Sequence, residues 1–160
     1  MMNEKILVPL DGSKVGEAAL PFVENLIGKF LPDPKVEVTL IQVLSTLSHY
    51  IVAGEATARV PYTEGEIEQM KQAATAYLEQ AGQPLVEKGA LLKTIVVVGH
   101  AAEEILKAAD EVDVDFIAMS SHGRSGISRW AFGSVTDRVV RAGNKPVLVV
   151  KAPKEAQQAN

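Results

Sequence analysis

The residues in this chain best suited to hold a ligand lie between Ser120 and Thr136. There Gly123, Gly126 and Gly133 are set among serines, His122 and arginines. Glycines let backbone amides approach an anion with no Cβ in the way, and successive amides can form a concave nest. A helix opening near Ser134 adds N–H groups that lack an intrahelical partner, together with the positive end of its dipole. Ser134 and Thr136 add hydroxyl donors. Between His122 and Arg141 four arginines stand against one aspartate, a local +3 that leaves −7 on the rest of a chain of net charge −4. A phosphate site needs this distribution of charge. The same features also suit an ordinary loop, since glycine-rich strand–helix loops are common and a serine ahead of a helix is a usual N-cap. The segment matches neither the P-loop pattern nor the Gly-x-Gly-x-x-Gly dinucleotide pattern.

A second candidate is Asp11, in Asp11-Gly12-Ser13 just after the first apolar run. Its carboxylate can accept from hydroxyls, help order a cation, or cap the following helix. It is also the foremost candidate for a general base, with His122 behind it, because no other carboxylate and no lysine stands at a strand end. His49, His100 and His122 share no ligand spacing and the chain has no cysteine, so a zinc site is not expected. His100 reads as structural. Arg124 and Arg129 fit either bidentate phosphate contacts or a solvated loop, and Trp130 fits packing or a partner surface. Glu64, Glu66 and Glu68 read as a solvated acidic face.

The elements that must position these residues alternate short β-branched runs with helical patterns. Lys5–Leu10 reads as a buried strand closed by a turn. A helix is expected from about Lys14 to Phe30 with Ala18, Phe22 and Leu26 on its buried stripe and Pro21 forcing a kink or a late start. Lys35–Val43 reads as a second strand. Ser45–Gly65 shows no clean period and reads as a long loop, partly helical at most. Thr63 and Glu66 form a capping box for a helix that carries Ile67, Met70, Ala74, Leu78 and Ala81 on one face. Pro84 is expected to interrupt it, with Gly89 ending the continuation. Leu92–Val98 and Val114–Met119 read as strands separated by a helix carrying Ile105 and Ala109. A last helix from Ser134, with Val135 and Val139 buried, ends at Gly143, and Pro146–Lys151 reads as the last strand. Strands alternating with helices imply right-handed βαβ units and a mostly parallel sheet covered on both faces. Ligands in such sheets bind beyond the carboxyl ends of the strands, where strand order reverses.

The 160 residues leave room for one domain, read as residues 1–152 with a frayed polar tail at 153–160. Hydrophobic residues at 47% and charged residues at 22% exclude a disordered or fibrous chain. Net charge −4 and a pI near 5.4 argue against bulk binding to nucleic acid or to an anionic membrane. No apolar run approaches a membrane span or a signal-peptide core, and the expected location is the cytoplasm.

Four segments carry a resemblance. Val8-Pro9-Leu10-Asp11-Gly12-Ser13, Ser121-His122-Gly123-Arg124-Ser125-Gly126, Phe132-Gly133-Ser134-Val135 and Lys145-Pro146-Val147-Leu148-Val149-Val150 follow one another as in the universal stress protein family, which the chain resembles over nearly its whole length. The resemblance implies a Rossmann-like open parallel five-stranded sheet of order 3-2-1-4-5 with helices on both faces. It further implies a homodimer joined through the last strand, and ATP, alone or with Mg²⁺, as ligand. The family's ATP-binding branch carries a glycine, two residues, a second glycine, nine residues, then Gly-Ser/Thr. Here Gly123, Gly133 and Ser134 match, but Ser120 holds the first glycine position, which is expected to weaken nucleotide binding without abolishing it.

Carried onto this chain, the resemblance makes Asp11 the acceptor from the ribose hydroxyls or an organiser of a metal. Pro9 and Leu10 would line the adenine pocket, and the Val43 backbone would read the adenine edge. Met119 and Ser120 would border the sugar, and His122 and Gly123 would face the phosphates. Gly133, Ser134, Val135 and Thr136 would grip the phosphates at the helix N-terminus. The implied function is a small ATP-binding regulator or sensor of stress. The alternatives are a dimeric interaction module without nucleotide and a slow ATP hydrolase.

Overall fold

The computed structural model describes residues 4–30, 35–45, 48–123 and 132–152. Five strands form one parallel sheet: β1 (Glu4–Pro9), β2 (Val36–Leu44), β5 (Leu91–Val98), β6 (Phe116–Ser120) and β7 (Val147–Val150). Their order is β5-β2-β1-β6-β7, which is 3-2-1-4-5 when the sheet strands are counted along the chain, as expected. Strand order reverses between β1 and β6. A 3-10 turn at Gly16–Ala18 leads into α1 (Ala19–Phe30); α2 (Glu64–Glu87), α3 (Ala101–Val112) and α4 (Ser134–Ala142) complete the layers.

Alternation along β1 divides the core in two. Ile6 and Val8 face α1 and α2, where they meet Val23, Ile27, Leu78 and Leu85. Leu7 points the other way, with Ile41 and Ile117, onto Ile105 and Ala109 of α3 and Val139 of α4. Burial on both faces is why these strands read as nearly continuous apolar runs. The one charge inside β2, Glu37, is matched by Lys93 on β5 at 2.8 Å.

Three expectations need correction. The buried stripe of α1 is Ala19, Val23 and Ile27, while Phe22 is 44% exposed. The intervening 3-10 turn, with three residues per turn, shifts the phase of the face. Pro21 falls in the first turn of α1, where its missing N–H has no intrahelical carbonyl to lose.

Pro84 does not interrupt α2, which runs on to Glu87. The lost bond falls in the last turns, and Leu85, buried on the same face as Leu78, holds the helix to the sheet. Gly89, at φ 96°, then closes the helix in a Schellman arrangement: its N–H donates to Val86 C=O and the Ala90 N–H to Leu85 C=O.

The segment expected to be a long loop contains an antiparallel hairpin, β3 (Ser48–Ala53) and β4 (Ala56–Pro61), paired from Ser48↔Pro61 to Ala53↔Ala56. Its two-residue turn is Gly54-Glu55, with Gly54 at φ 65°. Most of its side chains are exposed on both faces, so no buried face imprinted the period-two pattern by which strands are read.

Candidate functional site

Beyond the carboxyl ends of β1, β2 and β6 opens a cleft of about 670 Å³, within the ~300–1,000 Å³ of small-molecule sites. Pro9, Leu10, Asp11, Val43, Met119, Ser120, His122, Gly123, Gly133, Ser134, Val135 and Thr136 all line it. The structure therefore lines one cavity with these twelve residues.

Asp11 is fixed by the turn it begins. Oδ1 accepts from the Ser13 N–H at 3.0 Å and the Ser13 hydroxyl at 2.6 Å, and Ser13 Oγ in turn accepts from the Gly16 N–H at 3.0 Å. The Asp–Ser pair thus closes an Asx turn that launches the 3-10 turn and α1. Gly16 and Gly123 flank the carboxylate, and a Cβ on either would run into it.

Three hydrogen bonds fix the end of β6, one to β7 and two to the start of α4. The Ser121 N–H donates to Val150 C=O at 2.9 Å, the Gly133 N–H to Ser121 C=O at 2.9 Å, and the Thr136 hydroxyl to Ser120 C=O at 2.9 Å. These draw Gly133 against His122 and Gly123, so the two halves of the glycine pattern meet in space. Gly133, not Ser134, is the N-cap of α4, and it supplies no side-chain cap. The amides of Ser134, Val135 and Thr136 begin a helix whose first intrahelical bond is Asp137 N–H to Gly133 C=O. Thr136 is buried with its hydroxyl proton committed to Ser120, so its backbone rather than its side chain is offered to the cleft.

Ser120 is the last residue of β6, has no positive φ, and is buried. Its backbone conformation is therefore one that any residue adopts. His122 is only 9% exposed rather than a solvated loop residue. Its Nδ1 shares a hydrogen bond of 3.1 Å with Ser121 Oγ, and the buried Nε2 has no partner among the described residues.

The basic cluster read from the sequence is divided. Arg138 pairs with Glu103 at 3.1 Å and Arg141 with Asp137 at 2.8 Å, both pairs exposed on the outer side of α4. Arg124, Arg129 and Trp130 lie outside the described residues. His100 is an exposed N-cap position of α3, and His49 stacks on Tyr62 with ring centroids 4.7 Å apart. Among the described residues no three His, Asp or Glu side chains converge in a way that could hold a metal ion.

Sequence reasoning missed the wall supplied by α2: Met70, Ala73, Ala74 and Tyr77. Met70 and Ala74 were read as core stripe alone; helical spacing says which side chains share a face but not where that face leaves the core and borders a cavity. Tyr77 donates to Glu17 Oε1 at 2.9 Å, tying α2 to the turn after Asp11. Burial first, then the Glu17 hydrogen bond and the negative charges of Glu17 and Asp11, push the Tyr77 hydroxyl well above the ordinary phenol range. Gln42 from β2 and Ala101 and Ile105 from α3 add to the lining. The cleft thus combines an apolar slot, one carboxylate and a donor-rich helix end, which suits a ligand with a flat ring system, vicinal hydroxyls and an anionic tail.

The sequence model of the Universal stress protein family matches residues 2–151. The chain is 34% identical over 160 residues to Universal stress protein MJ0577 of Methanocaldococcus jannaschii, covering 94% of this chain and 96% of that protein. The solved structure of MJ0577 superposes with a TM-score of 0.69 at 30% identity, covering 96% and 99% of the two chains. An Arabidopsis thaliana universal stress protein family member with AMP bound superposes with a TM-score of 0.63 at 16% identity over 95% of this chain and 94% of that one. The Archaeoglobus fulgidus universal stress protein in complex with dAMP gives 0.59 at 22% identity over 94% and 98%.

Proposed function

Since this chain belongs to the universal stress protein family, we propose that its cleft holds an adenine nucleotide, ATP in particular, and that the protein acts as a cytoplasmic, nucleotide-loaded regulator or sensor in the response to stress. The observation that carries this reading is that the Asp11 carboxylate, packed against Gly123, lines one cleft together with His122 and the α4 N-terminus. Pro9, Leu10, Met119 and the Val43 backbone supply the slot for the base. Asp11 Oδ2, directed at Gly123, is the acceptor for ribose hydroxyls at the border of the sugar and the phosphates. Gly123, Ser134, Val135 and Thr136 present backbone donors to the phosphates, and Gly133, whose own N–H is held by Ser121 C=O, leaves them room at the helix N-cap. His122 borders the same end. Relatives of this fold solved with AMP and dAMP support the ligand class.

A magnesium ion fits this arrangement in a limited way. It takes oxygen ligands and is commonly held through one or two carboxylates together with the substrate's phosphates. Asp11 is the carboxylate in the cleft, so the phosphates would carry most of the coordination, and the ion would neutralise their charge. With one carboxylate and no lysine among the described residues that line the cleft, binding rather than rapid turnover is the proposed activity. A homodimer through the β7 edge belongs to the same reading: β7 is an all-apolar outer strand of the sheet, and pairing protects such an edge.

Isothermal titration of nucleotide-stripped protein with ATP and Mg²⁺, with AMP in parallel, tests the proposal. Saturable binding that weakens for AMP is expected. No binding of either up to millimolar concentration overturns it and favours an interaction module without nucleotide.

A further inference from the structure

The hairpin β3–β4 lies outside the cleft and has its own unexplained feature. Tyr50, Ile51 and Val52 are consecutive and 70%, 48% and 70% exposed, so both faces of β3 show large apolar side chains to solvent. The two strands pack mainly on one another, and among the described residues no other element lies broadly against either. A lone two-stranded hairpin is marginal in water, and proteins cover or pair such apolar edges.

The geometry points to a second copy of this chain as the cover, joined through β4 in an antiparallel, two-fold contact centred on Thr57. Two properties of β4 set that register. First, the two-residue turn makes Ala53↔Ala56 a hydrogen-bonded pair, and strict alternation gives Ile51↔Ala58 and His49↔Val60 the same type. Thr57 and Arg59 therefore direct their N–H and C=O groups away from β3, to the free edge. Pairing through that edge makes Thr57 against Thr57 of the second copy the central hydrogen-bonded pair, and two chains add to form a four-stranded sheet.

Second, the charges match. Between Ser48 and Pro61 the acidic and basic side chains, His49 apart, are Glu55 and Arg59. A dyad at Thr57 sets Arg59 opposite Glu55 of the second copy, twice by symmetry. Centring the contact on Arg59 would instead oppose arginine to arginine and place Pro61, which has no N–H, against Thr57. The hairpin is also neutral in a chain of net charge −4, so two copies meet there without the repulsion their average surfaces carry. This contact is separate from the β7 edge.

The chain has no cysteine, so a single Thr57→Cys reports this contact alone. The Cα separation of a hydrogen-bonded antiparallel pair, ~5.5 Å, suits a disulfide. Under mild oxidation at low micromolar protein, Thr57→Cys is expected to give a discrete, reductant-sensitive dimer at least about tenfold faster than Ile51→Cys, which is separated from its copy by the two β4 strands in this sheet. Adding Glu55→Arg is expected to slow it on the order of tenfold, because both attractive pairs become repulsive. Adding Arg59→Glu as well should restore the rate, which a folding defect would not do. Equal rates for the two cysteine variants, faster linkage at Ile51→Cys, or indifference to Glu55→Arg would overturn the proposal.

Discussion

The Asp11 carboxylate occupies the space that a side chain on Gly123 would require: a Cβ there would meet Oδ2. The glycine at this position thus makes room for a protein carboxylate as well as bringing the backbone close to a ligand. Gly123 has no positive φ, so Gly123→Ala costs through that collision and not through backbone strain. A loss of about 1–3 kcal/mol in stability is expected, as for other overpacked sites. In an Asp11→Ala background the same change should cost much less, since the obstructing group is gone. A double-mutant cycle by denaturant unfolding measures this non-additivity. In the Asp11-containing protein Gly123→Ala should also lower nucleotide affinity about tenfold or more; additive stability losses would show that the two residues do not compete for one volume.

The Thr136–Ser120 bond predicts which part of Thr136 matters. The hydroxyl donates to Ser120 C=O at 2.9 Å inside the protein, docking the first turn of α4 on the end of β6. Thr136→Val keeps the shape and removes the donor, leaving a buried carbonyl without its side-chain partner at a cost of about 1–3 kcal/mol. Thr136→Ser keeps the donor and should lose less. Denaturation midpoints of the two variants at unchanged m-value decide it. Equal losses would mean that the methyl group, not the hydroxyl, fixes the helix.

The parallel sheet and the cleft were legible because both leave strong local marks. Ile95–Val98 and Val147–Val150 are apolar on both faces, as strands packed against a core cluster on each face are, and the glycines of Gly123 and Gly133 mark where backbones approach. What the sequence hid depends on tertiary contact. Phe22 and Val23 are neighbours of similar hydrophobicity, and only the phase set by the Gly16–Ala18 turn decides which one is buried. Pro84 carries a local signal to stop the helix that the burial of Leu85 overrides. The hairpin was invisible because neither of its faces is buried. Tyr77 looks like any aromatic on a helix until its hydrogen bond to Glu17 places it beside Asp11.

That hydrogen bond gives a pH prediction with a definite sign. The Tyr77 hydroxyl is raised above its ordinary value, chiefly by burial and then by Glu17. Below the phenol's ordinary pKa of ~10 both folded and unfolded states carry the proton and stability does not vary with pH through this group. Above it the unfolded chain releases the proton while the folded protein retains it, so stability falls as pH rises, by at most about 1.4 kcal/mol per pH unit. Unfolding measured between pH 9 and 11.5 should show a shallower alkaline decline for Tyr77→Phe than for the parent protein. The variant should also be about 1 kcal/mol less stable at neutral pH, having lost the bond to Glu17. Parallel alkaline curves would refute the assignment.

Ser120 stands where the family's nucleotide-binding pattern has glycine, and its environment predicts what restoring the glycine does. The residue ends β6 in a backbone conformation open to any side chain, so serine stores no strain there. Its side chain is buried, and Oγ lies 3.5 Å from the His122 N–H, at the limit of a hydrogen bond. Ser120→Gly therefore relieves nothing, removes a packed side chain and adds chain entropy to the unfolded state, for a loss of roughly 0.5–1 kcal/mol in stability. Titration with ATP should find the affinity of Ser120→Gly within about threefold of the parent, a difference of about 0.7 kcal/mol. A gain of tenfold or more would show instead that the serine side chain intrudes on the volume the nucleotide fills, and that the missing glycine is a steric restriction on the ligand itself.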